Sequence, residues 1–203
     1  MRIASTPRKA LAMGAAIASL TLAGCTSTNQ HPGSSTSPQP GSGMMGGGSA
    51  YHYSRLTCTP PAHLPGRLIN VILADMGMTR MMGGTAPLGA HMMLRAAPAS
   101  VVAGTVTLVA TNIGWRTHEL VVVPLADGSG AGVRIPGSDG KVDETRSLGE
   151  ASTSCRAGTG DGIHAGTVSW ITLTLAPGRY ELFCNLRNHY ADGMHQELLV
   201  TGS

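Results

Sequence analysis

The sequence predicts an all-β domain: a β-sandwich or Greek-key barrel of about seven to eight short strands, with one long flap. Three observations predict it. Short β-branched and apolar runs recur from residue 68 onward, several alternating with period two. Turn dipeptides separate them, at Asp127-Gly128, Asp139-Gly140, Asp161-Gly162 and Pro177-Gly178. Between 124 and 166 a long polar section with little strand character interrupts the series.

The first fifty residues do not read as globular. Residues 1–24 begin basic (Arg2, Arg8, Lys9), run apolar over 10–23 and close on Leu22-Ala23-Gly24-Cys25. Small residues before a cysteine, after a short apolar run, mark an export signal whose product is acylated on that cysteine. The alternative is an ordinary signal peptide or a membrane anchor, but the run is short and rich in Ala and Gly for crossing a bilayer. The expectation is a lipoprotein signal peptide over 1–24 and a lipid anchor on Cys25. Such a protein sits on the outer face of the cytoplasmic membrane, in the periplasm or at the cell surface. Residues 25–50 are mostly Ser, Gly, Pro, Thr and Gln, too poor in apolar side chains to order themselves. They predict a flexible tether with a reach on the order of 25–30 Å.

Export also changes the charge. The chain has 14 Lys and Arg against 11 Asp and Glu, but three of the basic residues and none of the acids lie in 1–24, leaving eleven of each. A neutral chain that is only 3% aromatic has no footprint for nucleic acid.

The folded domain is expected over 51–203. Residues 68–73 (Leu-Ile-Asn-Val-Ile-Leu) predict a first strand and 92–96 a second. Residues 103–112 set Val106, Leu108 and Ala110 against Thr105, Thr107 and Val109, the pattern of a half-buried strand. Asn112-Ile113-Gly114 turns, and 118–123 makes the next strand. Within the polar section, residues 143–151 could form a short helix, and the whole is read as a flap outside the sheets. Residues 167–175 alternate again, Pro177-Gly178 turns, and 179–184 and 196–200 are the last two strands.

The loop between those last strands carries the chemistry. Cys184, His189 and Met194 stand at Cys-x4-His-x4-Met spacing. A thiolate, an imidazole and a thioether suit copper far better than calcium or magnesium. A trigonal site with a long axial Met needs a second imidazole, and His118, opening its own strand, is the candidate. Tyr180, Leu182 and Cys184 share a strand face, so the sulfur should point inward with the apolar residues. For these residues the bland alternative is a buried Cys beside a surface His and a core Met. His195 also follows the loop, but a four-ligand site is already full. His31, His52, His63, His91 and His164 lack partners at ligand spacing and read as solvated.

These residues resemble the cupredoxin (plastocyanin/azurin) family, from about residue 68 to the C-terminus and most closely over 107–123 and 177–201. The Cys-x4-His-x4-Met loop is most similar to the sulfocyanin and rusticyanin branch. The resemblance implies a type 1 (blue) copper centre with His118, Cys184, His189 and Met194 as ligands. It also implies a one-electron carrier rather than an enzyme, with His189 as the electron's port near the surface. Many members have Asn after the first His ligand; here that residue is Glu119, whose carboxylate could accept from Asn185 or from loop backbone amides. Multicopper oxidases need His-Cys-His and His-x-His pairs, and a binuclear oxidase-type centre needs a second loop Cys. Both are absent.

Two cysteines remain. Leftover cysteines in an exported domain most often bridge each other, so Cys58–Cys155 is the expected pair; two free, buried thiols are the alternative. The methionines at 76, 78, 81 and 82 lie in glycine-rich sequence. They read as packing and adaptable contact surface, with a second, labile Cu(I) site at Met76, Met78, Met81 and Met82 as the rival. The expected function is a membrane-tethered, monomeric carrier between redox proteins such as a cytochrome or an oxidase. The alternative is copper storage, delivery or resistance through the Met-rich segment.

Overall fold

The structure is a computed structural model that describes residues 54–75 and 91–202. The expected leader (1–24) and tether (25–50), with Cys25, Met76, Met78, Met81, Met82, His31 and His52, lie outside the described residues.

Ten strands are present among the described residues, and no helix. They are β1 (Arg67–Asp75), β2 (Met92–Ala97), β3 (Ser100–Val102), β4 (Gly104–Asn112), β5 (Leu120–Pro124), β6 (Gly149–Ala151), β7 (Arg156–Ala157), β8 (Val168–Leu175), β9 (Gly178–Phe183) and β10 (His195–Thr201). One sheet has the order β2-β1-β4-β8-β7 and the other β3-β10-β9-β5-β6. This is a two-sheet sandwich of the cupredoxin-like, Greek-key kind. Its pairings are mostly antiparallel, but β1 runs parallel to β4, β10 parallel to β3 and β7 parallel to β8.

The alternation that predicts the strands also fills the core. Ile69, Val71 and Leu73 of β1, Val106, Leu108 and Ala110 of β4, and Tyr180 and Leu182 of β9 meet in one cluster between the sheets. Each large side chain taken fully out of water contributes about 1.5–3 kcal/mol, so the central strands are the rigid frame on which loops can be held.

β4 is more buried than a half-exposed strand. Thr107, on its other face, is fully buried and shares a hydrogen bond of 2.7 Å with Thr172 Oγ1. The segment before β1 covers that face: Thr107 Oγ1 also donates to the Pro65 carbonyl, and the Thr57 N–H donates to the Gly166 carbonyl. The Cys58–Cys155 disulfide ties this segment to the chain just before β7.

The section 124–166 departs from expectation in two ways. Residues 143–151 are not helical. The Asp143 carboxylate accepts the Thr145 N–H and Ser147 Oγ accepts the Gly149 N–H, local bonds that compete with helix formation. Nor does the whole section lie outside the sheets. β6 pairs with β5 and β7 with β8, so both continue sheet edges. The loop before β6 covers the outer face of the second sheet, where Val142 joins Val121, Val123, Phe183 and Tyr190 in a smaller apolar cluster. Beneath it, Glu181 is fully buried yet satisfied by Arg134 Nε, Tyr190 Oη and the Gly132 N–H.

Candidate metal centre

Cys184 is the first residue past β9 and Met194 the last before β10, so both ends of the ligand loop hang from paired strands. The loop closes on itself: the Cys184 N–H donates to the Met194 carbonyl, and the Met194 N–H to the His189 carbonyl, each at 3.1 Å. Asn188, at φ 69°, makes the turn before His189. His118 does not open β5, as the sequence suggests. It forms an isolated bridge with Ile163, two residues before β5 begins at Leu120.

Three of the four expected ligands converge. His118 Nδ1 lies 3.1 Å from His189 Nδ1, and Cys184 Sγ lies 3.3 Å from His189 Nδ1. All three donor atoms lie within 4.8 Å of one another and all three residues are buried, forming a group that could hold a metal ion. Met194 is fully buried in the same apolar cluster as Cys184. Exposure separates the two histidines: His118 is at 0% and His189 at 6%, so His189 is the nearer to solvent.

The electrostatics suit a metal better than protons. Burial pulls both histidines down, His189 to about 3 with His118 and Arg116 adding to the effect, so both rings are neutral at ordinary pH. Burial, with Glu119 nearby, pushes the Cys184 thiol far up, although the Glu119 N–H donates to its sulfur at 3.3 Å. A buried thiol of this kind ionises when a cation replaces its proton. The donor set (two imidazole nitrogens, one sulfur that ionises on binding, a thioether in the same cluster) fits copper.

The residues that follow His118 and Cys184 in the chain are hydrogen-bonded to one another. Glu119 Oε1 accepts the Asn185 backbone N–H at 3.0 Å. The Asn185 side chain turns the other way, accepting from the Val142 N–H and donating to the Val142 carbonyl and to Glu144. Burial, Glu150 and Glu144 raise Glu119 to about 7.

Sequence reasoning missed Asp75. It ends β1, is 1% exposed, and its Oδ1 lies 3.2 Å from His118 Nε2. Burial alone would raise its carboxyl. Hydrogen bonds from His118 and from the Arg116 and Trp115 backbone N–H groups hold it at about 2 instead. The only local signal was an acid closing an apolar strand. Asn112 was missed too: its side chain donates to the Arg116 and Ile163 carbonyls and accepts the Gly114 N–H, shaping the turn before His118. His195 stays out of the group and packs against the Tyr190 ring at 5.1 Å. His63, His91 and His164 are exposed.

No family model matches the chain, and no curated protein matches it. Several solved structures do. Rusticyanin from Thiobacillus ferrooxidans is 17% identical over 68% of this chain and 79% of its own, with a TM-score of 0.40. Auracyanin B is 20% identical over 74% of this chain and 99% of its own, at 0.41. Auracyanin from Roseiflexus castenholzii is 17% identical over 68% and 98%, at 0.38. The fold assignment above rests on strand order and register, and the site on its own distances.

Proposed function

We propose that this chain is a type 1 copper protein that carries single electrons between extracytoplasmic redox proteins, tethered to the membrane by a lipid on Cys25. The observation that carries the reading is the convergence of His118 Nδ1, His189 Nδ1 and Cys184 Sγ within 4.8 Å in a buried site. Copper held there supplies one-electron exchange between Cu(I) and Cu(II).

The residues of this chain supply the rest. His118 is held by its bridge to Ile163 and Cys184 by the end of β9, so the donor atoms need not move when the charge of the ion changes. The Leu120, Leu182 and Met194 side chains exclude water from the thiolate. His189, the more exposed ring, is the port for the electron. The tether that the composition of residues 25–50 predicts would let the domain swing between donor and acceptor.

The test is to add Cu(II) to the purified protein and record visible absorption and electron paramagnetic resonance (EPR). An intense thiolate-to-copper band, bleached by a reductant and restored by an oxidant, is the expected result. A colourless protein defeats the reading. Loss of copper at every reduction would favour delivery over electron transport.

A further inference from the structure

We propose that Asp75 is the positioning residue that fixes the tautomer of His118, leaving Nδ1 free to bind metal, and that its carboxylate biases the centre toward the oxidised ion. The first half stands on geometry alone; the second rests on the copper reading above.

Asp75 is held independently of His118. Its Oδ1 accepts the Trp115 N–H at 2.8 Å and the Arg116 N–H at 3.0 Å, so the turn before His118 is wrapped around the carboxylate. A Cβ on Gly114 would run into the same carboxylate, so the turn approaches as closely as a residue without a side chain permits. Asn112 braces the turn from the other side. The oxygen therefore points at His118 Nε2 from a fixed place, 3.2 Å away.

An ionised carboxylate only accepts, so Nε2 must carry the proton of that contact. A neutral imidazole with its proton on Nε2 has its lone pair on Nδ1. That is the nitrogen facing His189 and Cys184. A carboxylate in this position orients the ligand and raises its basicity. It also adds a negative charge behind the His118 ring, which stabilises a divalent ion more than a monovalent one. A backbone carbonyl would set the tautomer without adding the charge.

The bland alternative is that Asp75 only caps the turn at 114–116. Two measurements on the full chain separate the readings. Long-range 1H–15N NMR of the copper-free protein at pH 7 should show His118 protonated on Nε2; protonation on Nδ1 overturns the proposal, and no copper is needed to learn it. Asp75→Asn keeps an oxygen acceptor for all three donors but removes the charge. It should stay blue with its Cu(I)/Cu(II) ratio at a given potential raised at least tenfold, an upward shift of about 59 mV for one electron. An unchanged potential in a blue Asp75→Asn protein overturns the charge role. Asp75→Ser, also neutral, repeats the measurement should the first variant not fold. A wild-type protein that takes up no copper defeats the carrier reading and leaves the NMR result to decide the tautomer.

Discussion

The carboxylate of Glu119 accepts the backbone N–H of Asn185 at 3.0 Å, so the residue after His118 holds the residue after Cys184. One hydrogen bond thus spans the two chain segments that supply the donor atoms. Glu119→Ala would leave that partly buried N–H unsatisfied, at a cost of about 1–3 kcal/mol. Glu119→Gln keeps the acceptor and should be close to neutral in stability. It should also ease copper uptake, because Glu119 is one cause of the raised Cys184 thiol. Thermal unfolding and the pH dependence of copper uptake check both. Equal Tm losses in the two variants would mean the bond is not what matters.

Cys184→Ser should abolish the thiolate-to-copper band while leaving the strands intact. Met194→Leu conserves volume at a buried position and should cost under about 1.5 kcal/mol. It should retain colour with a raised potential, since a thioether donor is exchanged for an apolar group. Cyclic voltammetry on the variant is the check, and an unaltered potential would remove Met194 from the ligand set.

The Cys58–Cys155 bridge closes a sequence separation of 97 residues. Constraining a loop of that size in the unfolded chain stabilises by about 2–5 kcal/mol. The double Cys→Ser variant should lose that much in a denaturant titration. The segment before β1 should then become the first region to exchange amide protons, because the bridge fastens it over β4.

The copper-free protein should be most stable near pH 6.5. His189 is lowered from 6.5 to about 3, and His118 is also lowered, so both contribute stability that is present above 6.5 and lost as pH falls toward their folded values. Glu119 is raised from 4.5 to about 7, so its contribution is present below 4.5 and lost as pH rises through 7. The two effects oppose each other between 4.5 and 6.5, giving a shallow decline there and a steeper one below 4.5. Asp75, lowered from 3.8 to about 2, extends the acid loss. Glu119→Gln should steepen the decline between 6.5 and 4.5, and a chevron or urea midpoint at several pH values will show whether it does.

Gly114→Ala should damage the site more than a glycine change elsewhere. Its Cβ would meet the Asp75 carboxylate, whereas Gly130→Ala projects into open space. Loss of copper affinity in the first and not in the second is the expected result. Equal tolerance would mean that the turn relaxes away from Asp75.

Much of this protein could be read from neighbouring residues. Alternation in β4, β8 and β9, and the turn at Pro177-Gly178, marked strands whose pleat dictates which side chains face inward. The Cys-x4-His-x4-Met loop put its donors within one short connection, so their proximity was already written along the chain. The putting of His118 beside them was not local, nor was the short register of β6 and β7, which have too few residues for any period to show. The polar section likewise looked like an outlying flap with a helix because nothing local says that Val142 meets Phe183.

Asp75 marks the limit most clearly. By itself it is an acid at the end of an apolar strand, 43 residues from His118 in the chain. β1 pairs in parallel with β4, and that register brings the end of β1 level with Asn112, where the turn toward His118 begins. Periodicity is a property of adjacent residues and survives in any fold that pairs them. A hydrogen bond between distant segments exists only once the sheets have been assembled in one register, and that is why the spacing of Cys184, His189 and Met194 was legible and the carboxylate behind His118 was not.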